Sequence, residues 1–511
     1  MSERPRSHRF LQNAGWTLFR QGATLVMSFF LTPVLVHGLG TDGYALYSLI
    51  GVILGALAPL ALGAGGAAAR LIAEAAPKGD GRRVRDVFRH ALIFHAVGPG
   101  LAAAALAAGA AWAPLFFSVP PELAASSVAL FRWVALGAVG FILGQAGICV
   151  LVGLGRFDQV SLIESTLALA LLGGSACLVR MGHGLAGIGP WFAAANAGYA
   201  AWALATAWRS LQSRASVSGP STHPLAAREF ATSALPFFLI NILGVLSFQM
   251  DKVFIASMLP LSSLTFYMIP FSIAQRLETI PRSISVAAFQ MSGELSGLGQ
   301  IDSLRRLYLK CTKLIALALI PAVVLLFAFA PQFLTLWLGA EFSDRGTWPF
   351  RVVLAGFSFY FLALTPLWIS QGIGRGYVAV AAYGSTAGLS FLFWALFIPR
   401  YGVPAAAGGF LAAQAISAAG LVLYFHRSVL RVGLSEYFSE SLKTPLISGA
   451  FLLLAALLVH PDANTWPRLV LAVATGCGIS FGVSLLLLDP QEKDMLRLIL
   501  RRSRSPEPTA P

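Results

Sequence analysis

A charged side chain at the centre of a membrane helix costs about 2.5–3.5 kcal/mol on insertion scales, so each one inside an apolar run is a candidate for function. Four polar residues crowd one such run: Gln275, Arg276, Glu278 and Arg282. Gln275, Glu278 and Arg282 follow an i, i+3, i+7 spacing and share one helical face, with Arg276 about 100° away. Glu278 precedes Arg282 by four residues, the better order for an ion pair. Pro281 lacks an N–H and is expected to loosen the helix at this point. A guanidinium fork matches the oxygens of a phosphate. Arg276 and Arg282 are therefore the first candidates for holding an anion, and a structural Arg–Glu pair that only packs helices is the competing reading.

Other ionisable residues fall in or beside apolar runs. Arg20 stands beside Gln21 in the inner third of the first run, as a cavity cation or as a side chain snorkelling to the interface. Arg132 and Arg351 lie towards the outer ends of their runs, where they form an outer cationic step or anchor the helix. Asp251 and Lys252 close the seventh run at its outer side, as a gate or as an ordinary interfacial pair. Glu164 is the acidic residue of the fifth run. It is a candidate for proton or sodium coupling, or a partner for Arg156 or Arg20. His95 reads as a hydrogen-bonded packing residue. Trp191, Trp368, Tyr360 and Tyr383 either stack on sugars or pack and anchor helices. No H-E-x-x-H, G-x-S-x-G or Walker A pattern occurs, so no catalytic residue, resident metal or cofactor is expected.

The elements that must position these residues are membrane helices. Of 511 residues, 57% are hydrophobic and 11% charged, against roughly 25% charged in soluble domains. A span needs about 20 mostly apolar residues. The runs fall at 13–37, 44–69, 91–117, 127–153, 160–180, 187–208, 234–257, 261–289, 313–338, 349–373, 377–399, 402–426, 443–460 and 468–489. They predict an all-α integral membrane protein of about fourteen transmembrane helices, of which 261–289 is the least apolar. With the N-terminus in the cytoplasm, most of the 36 Lys and Arg fall on cytoplasmic connections. That bias places both termini inside. It also absorbs the formal net charge of +14 without nucleic acid as a partner. The four cysteines have no C-x-x-C spacing. The first run has no A-x-A site at its end and reads as a retained helix.

The two halves resemble each other. Gly153-Leu154-Gly155-Arg156 returns about 219 positions on as Gly372-Ile373-Gly374-Arg375. Ala113-Pro114-Leu115-Phe116 returns as Ala330-Pro331-Gln332-Phe333, and Phe192 and Asn196 as Phe410 and Gln414. The stretch from Val34 to Tyr47 returns from Val253 to Tyr267. Two similar bundles are the usual plan of a transporter. The expected organisation is a six-helix lobe over 1–208, a Ser/Gly/Pro-rich cytoplasmic linker over 209–232 and a second six-helix lobe over 233–426. Two further helices over 427–489 and a basic tail over 490–511 complete it. The charges at Arg20 and Arg276 are not repeated in the opposite half.

The stretches Leu39-Gly40-Thr41-Asp42-Gly43-Tyr44-Ala45-Leu46-Tyr47, Gly153-Leu154-Gly155-Arg156-Phe157, Gln249-Met250-Asp251-Lys252-Val253 and Ile280-Pro281-Arg282-Ser283-Ile284-Ser285 resemble the polysaccharide-exporter branch of the multidrug/oligosaccharidyl-lipid/polysaccharide (MOP) exporter superfamily. The similarity is strongest to O-antigen-type flippases. It implies a lobed bundle with a cationic cavity that moves a polyprenyl-pyrophosphate-linked glycan across the bacterial inner membrane by alternating access. Its implied partners are that glycan, membrane lipids, a polysaccharide polymerase and glycosyltransferases, with coupling to H+ or Na+. The lipid II flippases and the cation-coupled multidrug exporters of the superfamily are the alternatives. A polytopic ligase or polymerase would need a larger outer loop than any connection here.

Overall fold

The computed structural model describes residues 6–61, 63–215, 226–459 and 463–487, and every regular element among them is helical. The side chains of 6–20, 77, 213–215, 236, 459, 485 and 487 lie outside that description. Eleven helices among the described residues are long and apolar enough to cross a membrane. The chain is a multi-pass membrane protein.

These residues form two compact units. The first takes the described chain up to Met268 together with Phe391–Ala406. It holds α1 (Arg6–Leu57), α2 (Ala64–Ala75), α3 (Gly81–Gly109), α4 (Ala113–Phe116), α5 (Pro121–Gly153), α6 (Phe157–Arg180), α7 (Gly184–Ala215), α8 (Ala227–Phe248) and α9 (Met250–Met258). The second takes Ile269–Ser390 and the described chain from Ala407 on. Helix α10 (Ser262–Arg276) runs from the first into the second. There follow α11 (Thr279–Gly297), α12 (Ile301–Ala328), α13 (Ala330–Leu338) and α14 (Ala340–Gly372). Then come α15 (Gly376–Tyr401), α16 (Val403–Phe425), α17 (Leu434–Tyr437), α18 (Lys443–Val459) and α19 (Trp466–Leu487).

Several expected runs are interrupted in the structure. The runs at 13–37 and 44–69 lie largely on α1, whose helix breaks at Gly40 (φ 70°, ψ 173°), and the second run breaks again before α2. There Gly63 is left-handed at φ 72°, and a Cβ would strike the backbone of α8 at Ala234 and Phe238. Only glycine meets both demands without strain. The run at 261–289 is divided between α10 and α11. The run at 187–208 lies on α7, which is not among the eleven apolar helices. Helix α7 extends to Ala215 and α8 starts at Ala227, while 216–225 and the tail over 490–511 lie outside the described residues.

The internal repeat is visible in local geometry. Helix α5 ends on Gly155 (φ 71°), with Gly155 N–H donating to Val152 O and Arg156 N–H to Leu151 O, each at 2.9 Å. Helix α14 ends on Gly374 (φ 80°), with Gly374 N–H to Val-equivalent Gln371 O at 3.1 Å and Arg375 N–H to Ser370 O at 2.8 Å. Both are Schellman caps, which satisfy the last free carbonyls. Helices α4 and α13 both begin on an Ala-Pro pair.

Small residues let the helices of each unit approach closely. Helix α5 lies against α7 along Gly137, Gly140, Gly144 and Gly147. The ring of Phe192 covers Gly137, and Phe410 covers Gly356 of α14 in the same way. A Cβ on Gly140 would lie 2.9 Å from the carbonyl carbon and oxygen of Asn196, and one on Gly147 2.7 Å from the carbonyl carbon of Ala203. Backbone cannot rotate away. Gly140→Val and Gly147→Val should therefore each destabilise the protein by about 1–3 kcal/mol, the cost of overpacking. Gly100→Ala on α3, where nothing lies within 4 Å, should change little. Thermal unfolding of the purified variants in detergent checks this, and equal midpoints for all three would contradict the packing described.

Candidate functional site

The cluster singled out in the sequence sits at a helix break. Helix α10 ends at Arg276, Leu277 and Glu278 form a turn, and α11 starts at Thr279. Pro281 explains the position. Its missing N–H would have bonded Leu277 O, and its ring crowds that carbonyl. The chain turns instead, with Leu277 N–H donating to Ala274 O at 3.2 Å and Glu278 N–H to Gln275 O at 3.0 Å. Helix resumes with Arg282 N–H on Glu278 O at 2.9 Å.

Three side chains meet at this break. Glu278 Oε1 accepts a hydrogen bond from Tyr360 Oη of α14 at 3.1 Å and lies 3.6 Å from Arg282 Nη1. Tyr383 of α15 stands in hydrogen-bond contact with Tyr360. The carboxylate is mostly covered, at 18% exposure, whereas the Arg282 side chain is 62% exposed. At 3.6 Å the two groups are beyond hydrogen-bond distance, so the guanidinium is held loosely. Arg276 is half-buried in the last turn of α10, where the helix dipole favours a cation. Neither Tyr360 nor Tyr383 could be paired with Glu278 from sequence, because the contacts span separate helices with no spacing rule between them.

The other candidates are placed apart. Arg351 donates from Nε to Phe327 O at 2.9 Å, and its guanidinium lies 5.1 Å from the centroid of the Phe327 ring. Phe327 is in the last turn of α12, so Arg351 satisfies a carbonyl the helix leaves open. Arg132 is exposed on α5. Glu164 is half-buried on α6, close to Cys149 of α5. His95 is buried and bonds Ala91 O at 2.8 Å, as a packing residue would. Arg20 is on α1, and its side chain lies outside the described residues.

Asp251 and Lys252 differ most from expectation. They lie well before the end of the helix, which continues to Met258, and they are 0% and 2% exposed. Helix α8 stops at Phe248, and α9 begins after Gln249. Lys252 Nζ donates to Phe248 O and contacts Asp251 Oδ1 and Oδ2 at 2.8 and 3.1 Å. Tyr267 Oη donates to Asp251 Oδ2 at 2.7 Å. The apolar run fades at these charges, as it does at an interfacial end. In the structure they hold the two helical segments together. Removing one member of a buried ion pair leaves the other uncompensated, at about 3–5 kcal/mol. Asp251→Ala should therefore lower the thermal midpoint strongly, and Asp251→Ala combined with Lys252→Met should recover much of the loss. Strictly additive losses would show that the two charges do not depend on each other.

Comparison with known proteins agrees with this architecture. Residues 176–345 match a family model described as polysaccharide biosynthesis protein. A "Putative O-antigen transporter" of Shigella flexneri is 24% identical over 135 residues, which is 26% of this chain and 32% of that protein. The match thus spans about a third of that relative. Among solved structures, the lipid II flippase MurJ in an inward closed conformation superposes with a TM-score of 0.68 at 13% identity, covering 95% of this chain and 100% of that one. An inward-facing multidrug resistance MATE family transporter of the MOP superfamily gives 0.65 at 16% identity, covering 78% and 93%. A MOP superfamily transporter from Pyrococcus furiosus gives 0.59 at 16%, covering 81% and 95%. The resemblance of the sequence to the MOP superfamily and its polysaccharide branch is borne out.

Proposed function

We propose that this chain, which has the fold of the MOP superfamily transporters, is a flippase of the bacterial inner membrane. Its cargo is a polyprenyl-pyrophosphate-linked oligosaccharide, such as an O-antigen, capsule or exopolysaccharide unit, and it works by alternating access. Fourteen transmembrane helices in two six-helix lobes plus a final pair, with both termini in the cytoplasm, remain the topology of this proposal. The observation that carries it is the helix break at Leu277–Glu278. There a mostly exposed Arg282 rests on a carboxylate that Tyr360 already holds.

A pyrophosphate brings about two negative charges into a region poor in water. Arg282 can leave Glu278 for such an anion at little cost, because Tyr360 continues to donate to the carboxylate and limits its desolvation. Arg276 is proposed as a further ligand of the same anion, with Arg20 and Arg132 as separate cationic steps on its path. Glu164 and Glu278 are the proposed carboxylates for H+ or Na+ coupling. The Asp251–Lys252 pair is proposed to hold the α8–α9 break that alternating access would bend. A lipid II flippase is the second reading. Its support is the near-complete superposition of 95% of this chain on one, which includes a share of the C-terminal helices. Both readings move a lipid-linked pyrophosphate.

Complementation separates them. The wild-type chain should restore surface glycan in a bacterium lacking its oligosaccharide flippase and should not rescue growth on loss of the lipid II flippase. Arg282→Ala should reduce the restored glycan on the order of tenfold at matched expression, a loss of about 1.4 kcal/mol. Arg276→Ala and Arg20→Ala should do likewise, and Arg282→Lys should retain part. Full activity in all three alanine variants would remove the cationic path. Rescue of growth alone would favour lipid II.

A further inference from the structure

Between α6 and α7, in the first unit, lies an open cleft of about 440 Å³. Arg156, Gln159, Trp202, Thr206, Arg209 and Ser210 line its polar part. This size falls within the roughly 300–1,000 Å³ of small-molecule sites. Arg156 donates from Nη1 to Ser210 Oγ at 3.3 Å, which sets one guanidinium across the cleft. Among the described residues neither Arg156 nor Arg209 has an ion-pair partner. Asp158, in the same turn as Arg156, is exposed and does not line the cleft. Trp202 is exposed at 39%, as tryptophans at a headgroup boundary are. Beyond the cations, Leu162 and Ile163 carry the lining into apolar surface. The cleft is therefore cationic at one end and greasy along its wall.

The repeat supplies an internal comparison. The equivalent helices of the second half, α15 and α16, enclose a cleft of about 430 Å³ at matching positions. Leu162 and Ile163 correspond to Ala381 and Ala382, and Trp202 and Thr206 to Gly420 and Tyr424. The mouth differs in chemistry. Tyr377 and Tyr424 meet across it with their hydroxyls 3.1 Å apart, and Arg375 donates to Ser428 O at 3.5 Å. Neither Arg375 nor Arg427 lines the cleft. One scaffold thus presents two grooves of nearly equal volume, and one of them has two arginines at its mouth.

We propose that the α6–α7 cleft binds the phosphate headgroup of an anionic glycerophospholipid, with Arg156 and Arg209 on the phosphate oxygens and one acyl chain along Leu162 and Ile163. Basic pockets between transmembrane helices on the cytoplasmic side bind such headgroups, and two guanidinium forks suit a phosphodiester. The cytoplasmic placement of the cleft rests on the orientation proposed above, while the lipid chemistry does not depend on transport.

The test is native mass spectrometry of the full chain in detergent with phosphatidylglycerol or phosphatidylethanolamine added at equal concentration. Wild type should retain phosphatidylglycerol preferentially. Arg156→Gln combined with Arg209→Gln should lower its retention on the order of tenfold. Arg375→Gln combined with Arg427→Gln, which removes the same charge from the counterpart, should leave it unchanged. Arg209→Gln alone changes an exposed side chain, so it reports an intermediate loss free of folding defects. Equal retention of the two lipids, or equal losses in the two double variants, would overturn the proposal. Displacement of the lipid by inorganic phosphate would reduce the cleft to a simple anion site. Retention of a polyprenyl phosphate in place of phosphatidylglycerol would make it a cargo site, also against the proposal. Failure of glycan complementation with intact lipid retention would count against the flippase reading alone.

Discussion

Every interruption of a helix inside a membrane frees backbone groups that lipid cannot hydrogen-bond, and such breaks persist only where protein or water satisfies them. Much of the polar chemistry of this chain is organised by that constraint. At the break between α8 and α9, Lys252 donates to Phe248 O, the last residue of α8. Asp251, in the first turn of α9, balances the ammonium and accepts Tyr267. The cation thus sits at a helix C-terminus and the anion at a helix N-terminus, each at the favourable end of a dipole. Arg276 and Glu278 take the same positions around the α10–α11 break. Arg351 follows the rule once more, capping a carbonyl in the last turn of α12.

The features legible in the sequence are those set by short-range rules. The i, i+4 spacing of Glu278 and Arg282 is an ion pair in the structure, and Pro281 marks the interruption. The Gly-x-Gly-Arg turns are matching Schellman caps, because αL glycine and its hydrogen bonds are local properties. Long-range partners were not legible. Nothing in the spacing of Tyr360 or Tyr267 announces Glu278 or Asp251. Hydropathy also misled at Asp251 and Lys252. A drop in apolar character usually marks the end of a span, but two charges that neutralise each other can be buried two turns before it.

The repeat separates scaffold from chemistry. Residues that shape the backbone recur: Gly155 with Gly374, Gly137 and Phe192 with Gly356 and Phe410. They recur because each meets a steric demand that any copy of the bundle would face. The charges at Arg20, Arg276, Glu278 and Arg282 do not recur, whereas Arg132, Arg156 and Arg209 return as Arg351, Arg375 and Arg427, and each charge carries a cost in an apolar helix. A duplicated charge without a duplicated task would only destabilise the second copy. The asymmetric residues are therefore where a specific role should be sought.

Burial decides what each acid–base pair can do. Asp251 and Lys252 are enclosed, with carboxylate oxygens and ammonium directed at protein partners. Exchanging either for an external ion would mean breaking a desolvated pair, at about 3–5 kcal/mol. Glu278 and Arg282 are separated by 3.6 Å, with the guanidinium largely in the open. At that separation no hydrogen bond joins them. Tyr360 keeps the carboxylate satisfied whichever way Arg282 turns. The same two charge types are thus a clamp at one helix break and a loosely held cation at the other. An anion entering the protein would meet resistance at the first and a ready donor at the second.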